Sequence, residues 1–199
     1  MSSAEGYFSK ARVEAFSDGV MAVIITVMVL DLKAPESAEP SELLKLWPSF
    51  GIYLVSFLLL MIYWINHHGL MVQARRVTTG LLWANGAVLF WASLIPFSTA
   101  YVAKTHLAPF ATAIYAGLQC VCGLAFNVMS RSILERQDDG AFRQRAKVKR
   151  RWNLVAVAVY GISTIAALFS PVTAILLLTL VSLAYVAPTF LDDRKDVEE

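Results

Sequence analysis

Residues 12–32 read Arg12-Val-Glu-Ala-Phe-Ser-Asp-Gly-Val-Met-Ala-Val-Ile-Ile-Thr-Val-Met-Val-Leu-Asp-Leu32 (RVEAFSDGVMAVIITVMVLDL). Most of the stretch suits a helix buried in a bilayer. It nevertheless carries Arg12, Glu14, Asp18 and Asp31, which leaves only Gly19 to Leu30 free of charge. At 1.5 Å rise per residue that uncharged run covers about 18 Å, short of the roughly 30 Å hydrocarbon core. The rest of the chain decides whether this is a membrane helix.

The 199 residues are 57% hydrophobic and 16% charged, with a mean hydropathy of +0.58, outside the usual range of soluble domains. Uncharged runs extend from Leu46 to Asn66, Val77 to Ala103, Leu107 to Ser130 and Trp152 to Leu191. The first three each suit one span. The fourth is too long for one helix, and Ser170-Pro171 divides it into two antiparallel spans. With the opening segment this predicts an all-α integral membrane protein with six transmembrane helices, over about 9–32, 47–69, 78–103, 108–133, 150–169 and 171–191.

The N-terminus lacks a basic region followed by a compact apolar core and a small-residue cleavage site, so the first helix is expected to stay in the mature protein. An even number of spans puts both termini on one side. Fourteen of the seventeen Lys and Arg residues fall on that side, among them Lys10, Arg12, Arg75, Arg76, Arg194, Lys195 and the cluster from Arg131 to Arg151. The other side holds Lys33, Lys45 and Lys104. This bias predicts a multi-pass cell-membrane protein with cytoplasmic termini. The Arg131 to Arg151 cluster is read as an orientation signal beside anionic lipid, and no nucleic-acid partner is expected. The tail from Asp192 to Glu199 reads as a polar terminus.

Cys120 and Cys122 have no neighbouring His or Cys set and point to different sides of a helix, so they read as small apolar packers. Phosphate loops, dinucleotide fingerprints, nucleophile elbows and zinc-protease motifs are missing from the sequence. No enzymatic activity, cofactor or metal is expected. The carbonyl-filter motif of ordinary potassium channels and the arginine rows of voltage sensors are also missing.

On a helix turning about 100° per residue, Phe16, Gly19, Val23, Thr26, Val27 and Leu30 share one face. Such a face either packs on another helix or lines a pore. Asp18 lies about 130° away from its centre. A carboxylate at this depth must meet protein or water, and the end of the second span, Trp64-Ile-Asn66-His67-His68, returns to the same cytoplasmic depth. Arg12, Asp18, Asn66 and one of the two histidines are therefore candidates for a polar clamp between helices.

The pattern Arg12-x-x-x-Phe16-Ser17-Asp18-Gly19 before an apolar first helix, with Trp64-x-Asn66-His67-His68 closing the second, resembles the transmembrane protein 175 family of potassium channels. The resemblance extends to the six-span layout. It implies a channel for potassium and other monovalent cations whose first helices surround the pore. One copy of the motif, as in prokaryotic members, implies a homotetramer in the lipid bilayer. By position from the motif, the resemblance places the pore constriction at Val23, Val27 and Leu30 and the potassium-preferring threonine at Thr26. Val23 is shorter than the Ile or Leu that family members often carry there. Outside the pore, Asp31 and the glutamates Glu36, Glu39 and Glu42 would raise local cation concentration, or form a solvated acidic loop. The rival reading is a proton-coupled secondary transporter with a relay of Asp18 and His67 or His68.

Overall fold

The computed structural model describes residues 9–74, 76–134 and 140–197, and side chains among these outside 134–149 and 185–197. Every regular element described is a helix: α1 (Lys10–Val29), α2 (Pro40–Lys45), α3 (Trp47–Val72), α4 (Thr79–Ser93), α5 (Ile95–Lys104), α6 (Pro109–Leu134), α7 (Gly140–Ala167) and α8 (Pro171–Val197). Among the described residues, Trp47–Val72, Thr79–Lys104 and Pro109–Ile133 are long and apolar enough to cross a membrane, and Pro171–Ala184 is a shorter apolar helix. In α1, Lys10, Arg12, Glu14 and Asp18 bring charge into a 20-residue helix.

Local chemistry sets the boundaries. Pro48 occupies the first turn of α3 and Pro171 opens α8, at positions where a missing N–H costs no helical bond. Thr78 caps α4 by accepting from the Leu81 N–H at 3.3 Å. The expected single span over 78–103 corresponds to Thr79–Lys104, with a one-residue irregularity at Leu94 between α4 and α5. Pro96 is the cause: it removes one backbone donor, and its ring crowds the carbonyl of Ala92. The turn from α5 into α6 passes through His106 and Leu107, both at positive φ (50° and 62°). At the other end of the chain, α7 starts at Gly140, ten residues before the expected span. The basic run before Trp152 is therefore the opening of a 28-residue helix. At 1.5 Å per residue α7 is about 42 Å long, longer than a roughly 30 Å hydrocarbon core. Arg75, Arg136 and the side chains of Arg143, Arg145, Lys147, Lys149, Arg194 and Lys195 lie outside the described residues.

Apolar clusters at different depths hold the bundle. At the level of the α1 start, Val13 and Met21 pack with Leu70, Met71, Leu81 and Met129. Towards the α5–α6 turn, Leu59, Val102, Tyr115, Ala116 and Leu178 form another cluster. α6 is the hub, packing on α4, α5, α7 and α8, whereas α1 lies against α3, α4 and α5. Gly123 shows how close α6 and α7 come: a Cβ there would lie 2.6 Å from Val157 Cγ2. Cys122 is buried, and Cys120 Sγ lies 3.6 Å from the Val157 carbonyl oxygen.

Candidate functional site: the first helix and its clasp

α1 has two faces. Val13, Ser17, Met21, Ile24 and Met28 are buried against the rest of the chain. On the opposite side Phe16 (63%), Val23 (59%), Val27 (44%) and Leu30 (75%) remain exposed, as do Gly19 and Thr26 between them. All six residues grouped by helical phase are thus uncovered by the rest of the chain. A Cβ added at Gly19 would meet nothing within 4 Å. Thr26 Oγ1 donates within α1, lying 3.0 Å from both the Ala22 and the Val23 carbonyl oxygens. Its proton is committed to the helix, and its oxygen lone pairs face outward.

The buried face is fastened by a three-residue network. Ser17 Oγ donates to the Val13 carbonyl at 2.8 Å, so it must accept from Asn85 Nδ2 at 2.9 Å. Asn85 Oδ1 then remains to accept from His67 Nε2 at 2.6 Å. The network fixes the histidine's proton on Nε2. Ser17, Asn85 and His67 are all buried, and together they join α1, α4 and α3. About two turns lower on α1, Lys10 Nζ donates to the Val72 carbonyl at 2.7 Å, at the negative end of α3. Asp18 is held separately: Trp64 Nε1 donates to its Oδ1 at 3.0 Å, a charge-assisted bond at the partly buried edge of the clasp.

This arrangement divides the expected network. Ser17, Asp18, Trp64 and His67 face between helices, and His67 is the histidine that enters. His68 is exposed and stacks on Trp64, with ring centres 6.0 Å apart. Asn66 is buried and donates to the Ile62 carbonyl of its own helix at 2.8 Å. Arg12, by contrast, is exposed, and no partner for its guanidinium occurs among the described residues. Six residues before Asp18, it lies about 120° around the helix and about 9 Å along it, out of reach of the clasp. Phe16 and Gly19 likewise stand on the open face.

Asn85 was absent from the sequence-based set. Its signal was an amide in the middle of an apolar span, which must find a partner within the protein. Asp18 bonds to Trp64 and His67 to Asn85, so the structure shows no direct hydrogen bond between Asp18 and His67. On the far side, Asp31 lies 3.9 Å from Lys104 and Glu42 pairs with Lys45, so part of the acidic charge there is offset by cations. Among the described residues no cluster of His, Cys, Asp or Glu is placed to hold a metal.

The family model described as "Endosomal/lysosomal potassium channel TMEM175" matches residues 12–96, the segment that contains Ser17, Asp18, Trp64, His67 and Asn85. A protein of Chryseobacterium sp. (strain P1-3), named a potassium channel, is 34% identical over 180 residues, covering 90% of this chain and 94% of that protein. A human protein named endosomal/lysosomal proton channel TMEM175 is 29% identical over 102 residues, which is 45% of this chain and 20% of the human one. Among solved structures, a crystal structure described as a lysosomal potassium-selective channel TMEM175 homolog from Chamaesiphon minutus aligns with a TM-score of 0.82 at 26% identity, covering 90% of this chain and 97% of that one. The two-faced first helix, the agreement in fold and the near full-length match to the Chryseobacterium protein lead to one assignment: this chain belongs to the TMEM175 family of potassium channels.

Proposed function

We propose that this chain forms a potassium-permeable channel in which four copies of α1 surround the pore. Val23, Val27 and Leu30 then make successive apolar rings, and Thr26 lies between them. Six spans leave both termini in the cytoplasm. The observation that carries this reading is the open face of α1: a helix clasped on one side leaves Val23, Val27 and Leu30 uncovered on the other. Two relatives support the choice of ion, since the Chryseobacterium protein is named a potassium channel and the Chamaesiphon structure is described as potassium-selective.

The mechanism follows from hydration. An ion in a narrow apolar ring loses water without gaining ligands, so closed rings of Val and Leu block conduction by dewetting. Opening widens the rings until a hydrated column forms. Thr26 oxygens, with their protons already given to backbone carbonyls, then offer lone pairs to a partly dehydrated cation. Selectivity arises from the cost of dehydration at this level, without a carbonyl cage. The clasp holds α1 in rotational register so that this face, and no other, meets the axis.

Potassium efflux from liposomes containing purified protein tests the reading. The expected flux is passive, electrogenic and unchanged when a proton gradient is collapsed. Potassium movement with fixed proton stoichiometry would replace the channel by a coupled transporter. Within this assay Leu30→Ala is expected to raise the resting leak, because shorter side chains leave a wider ring that dewets less readily; an unchanged leak removes Leu30 from the barrier.

A further inference from the structure

The seam between α6 and α7 has a readable register. A Cβ at Gly117 would lie 3.6 Å from Thr164 Cγ2, one at Gly123 2.6 Å from Val157 Cγ2 and one at Gly161 3.9 Å from Cys120 Sγ, so residue numbers rise along α6 as they fall along α7. Eight residues beyond Gly123, about 12 Å further along the seam, Arg131 comes level with Arg150 and Arg151. Arg131 and Arg151 are exposed and Arg150 is partly buried, and among the described residues no carboxylate pairs with any of the three. Towards the interior of the span both helices turn apolar. Leu124 and Val128 precede Arg131 on the exposed stripe of α6, and Val155 and Ile162 follow Arg151 on that of α7. Each stripe lies on the advancing side of its helix's contact line. Antiparallel helices seen from one end wind in opposite senses, so the two stripes open on the same side of the seam.

Guanidiniums at the point where an apolar exposed surface ends call for an anion at that depth, and their forked donors suit phosphate oxygens. Trp152, exposed beside Arg151, is the type of residue that marks a membrane–water boundary. Beyond it the helical backbone of α7 continues back to Gly140, through a stretch in which Gly140 to Arg151 includes six basic residues and no acidic one. That run keeps the local field positive at headgroup depth. A free anion would use the arginines alone, whereas the two apolar stripes beside them add the surface that acyl chains cover. We propose that Arg131, Arg150 and Arg151 form a site for an anionic phospholipid, with its phosphate at the arginines and its acyl chains along the α6–α7 seam. The inference rests on the reading that α6 and α7 cross the bilayer side by side, and it is independent of which ion the chain conducts.

Native mass spectrometry of the full chain, purified in detergent and equilibrated with equal amounts of phosphatidylglycerol and phosphatidylcholine of matched acyl chains, tests the site. No ion flux is read, so its outcome stands apart from that of the channel reading. The wild type is expected to retain phosphatidylglycerol several-fold over phosphatidylcholine, and the triple variant Arg131→Gln, Arg150→Gln, Arg151→Gln should bring the two to equal retention. Equal retention in the wild type overturns the site, and an unchanged preference in the folded triple variant overturns its assignment to these arginines. If the triple variant does not fold, Arg151→Gln is compared with Arg12→Gln, which removes an exposed arginine from α1, the helix lying against α3, α4 and α5. Arg151→Gln should weaken the preference and Arg12→Gln should leave it intact; equal effects overturn a discrete site. Displacement of bound phosphatidylglycerol by inorganic phosphate would make this a soluble-anion site and overturn the lipid as its occupant.

Discussion

Thr26 and Asn85 are both polar residues in apolar surroundings, and the structure gives them opposite tasks. Thr26 satisfies its proton within its own helix and is left open on the outer face. Replacing it by valine keeps the shape and removes the oxygen, so Thr26→Val is expected to lower potassium preference over sodium, read as a shift in reversal potential between the two cations. An unchanged reversal potential would mean that the hydroxyl does not meet the ion. Asn85 instead bonds across helices to Ser17 and His67. Asn85→Leu leaves the buried His67 Nε2–H without its acceptor, at about 1–3 kcal/mol before relaxation, while Ser17 keeps its bond to the Val13 carbonyl. The thermal midpoint of the purified protein should fall, and an unchanged midpoint would show that the clasp adds no net stability. Asp18 and the Trp64–His68 segment were legible from the sequence because a charge and ring nitrogens stand out in apolar spans, whereas Ser17 came only with the Phe16-Ser17-Asp18-Gly19 motif. Asn85 was not, since one amide gives no hint of which helix it will meet. Arg12 misled for the reverse reason: its charge drew it towards Asp18, although its helical phase puts it with Phe16 and Val23.

At the scale of elements, α1 was readable because a period of 3.6 residues separates its faces, and the burial pattern follows that period. The irregularity at Leu94 was less legible. Pro96 lies within an uninterrupted apolar run, and a proline in such a run can kink a span without ending it. The early start of α7 was hidden because charge and helicity are independent, so a basic stretch read as a loop is a helix longer than the bilayer needs. The α6–α7 contact has its own test. With a Cβ at position 123 falling 2.6 Å from Val157 Cγ2, Gly123→Ala overpacks the seam, at a typical cost of about 1–3 kcal/mol. The thermal midpoint should drop, and the additional change Val157→Ala should recover part of the loss. Failure of the second change to recover any stability would place the strain elsewhere.

Across the whole molecule, the composition established a membrane protein, and the hydropathy runs located most helices. The motif pairing of residues 12–19 with 64–68 pointed to the family, and the similarity to the Chryseobacterium protein over 90% of this chain establishes it. What no single chain displays is the ring that four copies would build, because its surfaces are the ones a lone subunit leaves bare. The central claim is that the bare face of α1 lines the potassium path. Its most direct test is potassium flux through Val27→Cys protein before and after a small water-soluble thiol reagent, with the parent chain, carrying Cys120 and Cys122, treated in parallel. The account predicts that modification at position 27 abolishes flux while the treated parent keeps it. Undiminished flux after mass spectrometry has shown complete modification at position 27 would contradict a pore lined by this face.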